Sequence, residues 1–466
     1  MNYQALIKTN KFELLITILV VLIALFLPAE FLALLPLSVL LIGLGVKYKD
    51  NFVLIFTIVT FLTVTTTISP AIRILVQLLN LLLLGIFFIK QYGFEFKNYP
   101  AVPLPLGLFF IFLFCLMFIS SFNSNLSLGL EQIIRLAVFL LIVYFYYSFI
   151  YLKEKNNKLI INAVYAVAII YGLFLIYEFA ETGFNIIEYN IKQVNYLGND
   201  YLPKNQMGGF FSMIITLSIA YLFYYKSKAQ KVFLYSIIVL SSISLILLNS
   251  RTSILTALIG FIFLALILNR KILKYAFAAL VLVSSLMLID DVYNLFEIYF
   301  RFEKLSTGRD YILAASANVI RDNWFLGAGP AGTKYELYKD LPYMLGTPVE
   351  KFLFHHYNQI EFGHAHNFYL FFFSDLGIFG FILSLVFPLL FFRYSYRVLQ
   401  TVPKNSYSYY TVLGITGSGI CMFIRGIFEW GGLISYGTIS YDLPFWLLFI
   451  ILISFVQKLN PQNLTA

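Results

Sequence analysis

Apolar residues in this chain come in long continuous blocks, not in the alternation of a half-buried strand. Blocks near the length that crosses a bilayer core as helix, roughly 17–25 residues, occupy 12–27, 31–46, 52–68, 72–89, 105–122, 134–152 and 159–178 in the first half. Seven more occupy 206–225, 232–249, 253–269, 275–290, 367–392, 410–428 and 443–457. Backbone groups must pair within their own segment in hydrocarbon, and these runs lack the dyad repeat of a barrel strand, so each predicts a helix. The expected fold class is all-α: a polytopic transmembrane bundle of about 14 spans.

Two polar stretches are too long to be simple connectors, Glu178 to Asn205 and Asp290 to His366. The second holds two helix-like pieces, Asp310 to Arg321 after the turn Ser306-Thr307-Gly308, and Val349 to Phe362 after Pro348. A partly helical loop of such length usually carries function. The chain therefore divides into N-terminal spans (1–204), a second group of spans (205–290), the long loop (291–366) and C-terminal spans (367–466).

Composition excludes a water-soluble protein. Of 466 residues, 60% are hydrophobic and 12% charged, against roughly 45–50% and 25% in soluble domains. The mean hydropathy is +0.84. The net charge of +9 does not indicate nucleic acid, because the cations sit in small clusters between apolar blocks. Lys8 and Lys11, Lys47 and Lys49, Lys90 and Lys97, Lys153 to Lys158, Lys226 to Lys231, Arg270 to Lys274, Arg393 to Lys404, and Lys458 all fall on one side if the N-terminus is cytoplasmic. Both termini are then cytoplasmic and the long loop is on the outer face. Lys8 and Lys11 before an apolar run could also mark a cleaved signal peptide, but the adjoining second block favours a retained first span. The two cysteines, Cys115 and Cys421, lie inside apolar runs and form neither a disulfide framework nor a metal motif.

Ionisable residues are costly in a membrane, and here they gather at the outer edge. Arg251 interrupts two spans in Asn249-Ser250-Arg251-Thr252-Ser253, where it either snorkels to lipid phosphates or forms an anion site. The loop adds Gly308-Arg309-Asp310, Arg321 and Gly327-Ala328-Gly329-Pro330; the glycines permit tight turns close to a ligand but match no phosphate-loop fingerprint. A guanidinium suits diphosphate because its planar fork donates paired hydrogen bonds and stays charged. The loop ends in His364-Ala365-His366-Asn367. Histidines two apart do not share a helix face, which disfavours a metal pair. His366 is either a polar cap on a span or a general base, with Glu361 as rival base. Asn205 and Gln206 open a span and can cap it. Asp375 is expected to pair with an arginine or hydroxyl, and Arg425 with Glu429 as an i, i+4 ion pair.

Taken in order, Ser250-Arg251-Thr252, Gly308-Arg309, the run Ile320 to Gly329, Ala365-His366-Asn367 and Asp375-Leu376-Gly377 with Gly380 resemble the bacterial O-antigen ligase and O-antigen polymerase family over about 205–382. Trp324 stands where such proteins often have proline, and Asp375 where Glu is usual. The resemblance makes 205–290 the family core and the long loop periplasmic. It implies a glycosyltransferase in the bacterial inner membrane, needing no metal or other cofactor, that uses an undecaprenyl-diphosphate-linked glycan as donor. By this resemblance Arg251 and Arg309, with Arg321, bind the diphosphate; His366 is the catalytic base; Asn367, His364 and Asn205 support them. The displacement would invert the anomeric centre.

The acceptor is open. A polymerase adds one lipid-linked glycan to another, while a ligase delivers the glycan to lipid A-core or, in relatives, to a protein. The seven basic and ten acidic residues of the loop offer no basic surface for a phosphorylated lipid A-core, which favours a polymerase, with a chain-length regulator as a further partner. A flippase of lipid-linked sugars is the alternative of another class; it would carry mid-membrane charge and a detectable repeat.

Overall fold

The computed structural model describes Thr57 and residues 81–189, 204–297, 309–336 and 365–459, apart from Leu83, Ser124, Glu154, Ile187, Asp291, Leu295, Phe296, Lys334 and Thr438. The helix expected at 349–362, His364, Glu361 and the blocks at 12–46 lie outside the described residues.

Among the described residues there is no strand. Each of the ten apolar blocks from 105–122 onward is met by a helix: α1 (Leu104–Ser120), α2 (Leu126–Leu152), α3 (Lys155–Glu181), α4 (Lys204–Tyr224), α5 (Lys228–Leu247), α6 (Arg251–Leu268), α7 (Lys271–Leu286), α9 (Phe368–Thr401), α10 (Tyr407–Arg425) and α11 (Ile439–Lys458). Between them, α8 (Arg309–Asp322) realises the first helix-like piece of the long loop. Eight of these, all but α7, α8 and α10, are long and apolar enough to cross a membrane.

Contacts divide the chain into two compact units, Met1–Tyr99 with Tyr144–Val167, and Pro100–Val143 with Ala168–Ala466. In the first, Phe88 packs among the rings of Tyr92, Tyr99, Tyr144 and Phe145, and the Tyr92 hydroxyl donates to the Ser148 carbonyl at 2.8 Å. The second holds α4 to α11.

In the second unit α10 packs against α4, α6 and α9. Its polar composition follows from that position: a helix walled by protein needs small residues for close approach more than it needs apolar ones for lipid. Gly414 lies over Leu217, and Gly260 of α6 faces Cys421. The Thr216 and Ser418 hydroxyls bond at 3.1 Å, and the Cys421 thiol donates to the Thr256 carbonyl.

Helix α9 breaks at Gly377, whose φ of 66° and ψ of −161° no helix contains. The segment after α8 fills the break. The N–H of Ile378 donates to Trp324, that of Ala328 to the Ser374 carbonyl, and that of Gly329 to the Asp375 carbonyl, all within 2.9 Å. The approach is close enough that a Cβ on Gly327 would strike the backbone of Asp375, and one on Gly377 the carbonyl of Phe325. Ser120 and Asn123, at the end of α1, bond the same segment through the Leu326 and Gly327 carbonyls.

Candidate functional site

Four helix ends of the second unit meet. At the start of α4, a Cβ on Gly208 would press against Ser250 and Ser253, and one on Gly209 would come within 2.9 Å of the Arg425 Nε. The starts of α4 and α6 therefore touch, and the end of α10 reaches them. The N–H of Phe368, first residue of α9, donates to the Gly426 carbonyl just past α10 at 2.7 Å. Arg251 opens α6, half-buried, after a turn in which Asn249 adopts a left-handed φ of 49°. His366 precedes α9. One chain of packed contacts thus joins the helix start that carries Arg251 to the one that follows His366.

His366 is itself in the left-handed region, at φ 49°, a conformation with a steric cost for any residue with a Cβ. Its neighbour holds it there. The Asn367 side-chain oxygen caps α9 by accepting from the N–H groups of Tyr369 and Leu370, and its amide donates to the Ile427 carbonyl at 2.7 Å. The imidazole is only 17% exposed, with Nδ1 3.8 Å from the Oε2 of Glu429. Glu429 is buried, in the hairpin between α10 and α11.

That hairpin, described over 426–437, is tied down by hydrogen bonds. The Arg425 guanidinium, buried at the end of α10, donates to the Gly431 carbonyl at 2.7 Å. Asp442, at the start of α11, accepts from the N–H groups of Gly432 and Ser435 and from the Ser435 hydroxyl. Trp446 donates to the Leu433 carbonyl. The i, i+4 spacing predicts a mutual ion pair for Arg425 and Glu429; in the fold Arg425 fastens the hairpin and Glu429 faces the histidine.

Asp375 finds hydroxyl partners, as its depth in an apolar run requires. Its carboxyl accepts from the N–H groups of Ala331 and Thr333, from the Thr333 hydroxyl and from the Tyr436 hydroxyl at 3.1 Å. Burial, reinforced by the adjacent Asp375, holds the Tyr436 phenol well above the ordinary tyrosine pKa and so keeps it a donor. The glycine-rich stretch wraps this carboxyl: Gly327, Gly329 and Ala331 all have positive φ, and the turn they make aims backbone N–H groups at Asp375.

The remaining residues singled out from the sequence are placed as follows. Arg309 is the first residue of α8, and α8 packs on α9. Arg321, in the last turn of α8, is exposed and donates to Asp322 at 2.9 Å. Asn205 lies in the first turn of α4. Among the described residues no three His, Cys, Asp or Glu side chains converge on a point that could hold a metal ion.

Residues 236–385, about a third of the chain, match the family model described as O-antigen ligase. This segment is similar to the O-antigen ligase domain. It runs from α5 past the break in α9 and takes in Arg251, Arg309, Arg321, His366, Asn367 and Asp375, whereas Glu429 and the hairpin lie beyond it. No curated protein matches the chain. The apolar helices describe an integral membrane protein, and the matched family implies, in general, glycosyltransferase-type chemistry on a lipid-linked glycan and an acceptor.

Proposed function

We propose that the protein joins an undecaprenyl-diphosphate-linked glycan to a hydroxyl of a second such glycan at the periplasmic face of the inner membrane, lengthening a surface polysaccharide. The observation that carries this reading is the meeting of helix ends around His366, with a buried carboxylate behind its imidazole. In the reaction His366 takes the acceptor's hydroxyl proton as the new O–C1 bond forms. The C1–O bond to the diphosphate breaks and its electron pair leaves with the phosphate oxygen. Arg251 and Arg309 offset the charge growing there, in a partly dehydrated site where fixed guanidiniums act strongly. Glu429 orients the imidazole and stabilises it once protonated, as carboxylates do behind catalytic histidines.

The ligase reading, with lipid A-core as acceptor, is supported by the description of the matched family; the polymerase reading by the acidic balance of the long loop. Glycans of a deletion strain separate the two: caps of a single repeat mean a lost polymerase, accumulated long lipid-linked chains a lost ligase.

The proposal is tested with the purified chain in nanodiscs, given the lipid-linked oligosaccharide and assayed by mass spectrometry for a new glycosidic product. His366→Ala should lower turnover by about 10²–10⁴-fold with expression intact, and near-normal turnover would remove it as base. Arg251→Lys should also be severe, because an ammonium lacks the bidentate fork. Substrate moved unchanged between leaflets would identify a transporter instead.

A further inference from the structure

The opposite end of α4 and α10 carries a second feature that catalysis does not use. A cavity of about 650 Å³ opens where α4 ends, α5 begins and α10 begins. Phe223, Tyr224 and Tyr410 form its aromatic wall, and Lys226, Gln230 and Asn405 its polar one. Gly209 and Arg425 mark the site end of the same two helices. Tyr224 closes a helix of 21 residues, so the cavity lies about 30 Å from the histidine end, a full bilayer core away.

Lys226 is the charged residue of its lining, and the chain segments next to the lining carry charge of one sign. The α4–α5 connection contributes Lys226, Lys228 and Lys231, and the end of α9 with its connection to α10 contributes Arg393, Arg397 and Lys404. No acidic residue occurs in 221–231 or 393–411. Clustered cations alone would only orient the helices. A roomy recess is different, because it offers anionic oxygen a position beside the Lys226 ammonium, walled by aromatic rings and flanked along the chain by further cations. The wall tyrosines pack on each other and on the helix behind them: the Tyr224 ring lies 5.8 Å from that of Tyr410 and 5.6 Å from that of Tyr407, which in turn stacks on Tyr221 with ring planes 17° apart.

We propose that this cavity binds the head group of an anionic phosphoglycerolipid, a site separate from the one that handles the glycan donor. Lys226 meets the phosphate, Gln230 and Asn405 hydrogen-bond the glycerol, and the acyl chains run down the exposed apolar face of α5 that carries Val232 and Phe233.

Native mass spectrometry of the detergent-purified chain, with added dihexanoyl phosphatidylglycerol, dihexanoyl phosphatidylcholine or glycerol 1-phosphate as separate probes, tests this. The phosphatidylglycerol adduct should be retained, the phosphatidylcholine adduct should not, and Lys226→Gln should weaken retention at least about tenfold, as expected for a lost charged contact of roughly 1.4 kcal/mol. Arg270→Gln, in a different basic connection, should leave it unchanged. Monodisperse gel filtration and an unshifted melting point certify that the Lys226 variant is folded, and Tyr410→Leu gives a second probe of the wall. Equal retention of the two lipids, or of wild type and Lys226→Gln, overturns the proposal. Displacement by glycerol 1-phosphate at the same concentration as the lipid would also overturn it and assign the cavity to a soluble phosphate ester.

Discussion

Individual residues here act mainly by what they hold still. Asp375 is the clearest case, since four donors converge on one fully buried carboxyl. Removing it leaves those donors without their acceptor, at on the order of 1–3 kcal/mol for each left unsatisfied. Asp375→Ala should therefore destabilise the protein by about 3 kcal/mol or more, read as a lower melting temperature in detergent, with Asp375→Asn intermediate. A melting point within a degree of wild type would mean that the carboxyl is not what ties the glycine-rich turn to α9. The sequence predicts an arginine or a hydroxyl beside this aspartate but not which, because the hydroxyls of Thr333 and Tyr436 that fill the role lie 42 and 61 positions away. Glu429 is the reverse case. Its proximity to His366 spans a whole helix hairpin, and locally it read as half of an i, i+4 pair. With Glu429→Gln, kcat should fall about 10²-fold while KM for the donor stays near its original value, because the side chain touches the histidine and not the substrate. An equal fall in affinity would place it in binding instead.

Among elements, helix existence was legible and helix ends were not. Ten apolar blocks became ten helices because continuous hydrophobicity in lipid leaves the backbone no other choice. The break in α9 was hidden, since Asp375-Leu376-Gly377 sits inside an unbroken apolar run; it depends on a distant segment that supplies the missing partners. Gly377→Ala should thus be strongly destabilising although alanine favours helix, because the added Cβ meets the Phe325 carbonyl at a positive φ. The start of α9 tests the role of Asn367. As a cap, Asn367→Ala should cost about 1 kcal/mol, and Asn367→Ser should recover most of both stability and turnover. If serine restored stability but not turnover, the amide would be acting on the substrate and not only on the backbone around His366.

At the scale of the whole molecule, the length of α9 bears on which end faces which compartment. Its 34 residues would reach about 51 Å as one helix, more than a bilayer core of about 30 Å. The part after Gly377 alone, ending at Thr401, is already long enough to span. Under the proposed function, the part before it, with the Asp375 turn, His366 and the α10–α11 hairpin, lies at head-group level on the periplasmic side, as the cation pattern of the sequence predicts. Reactive cysteines can report this directly. Cys421 is buried and Cys115 is exposed, so a Cys115→Ser background leaves little competing thiol. In that background Ile427→Cys, at a position 49% exposed beside the histidine end, should react with a membrane-impermeant maleimide in intact spheroplasts. Thr401→Cys, at the far end of α9, should react only after permeabilisation. The opposite pattern would put His366 in the cytoplasm, where a polysaccharide built on the outer leaflet could not reach it, and would remove the transfer mechanism together with the assignment of sides.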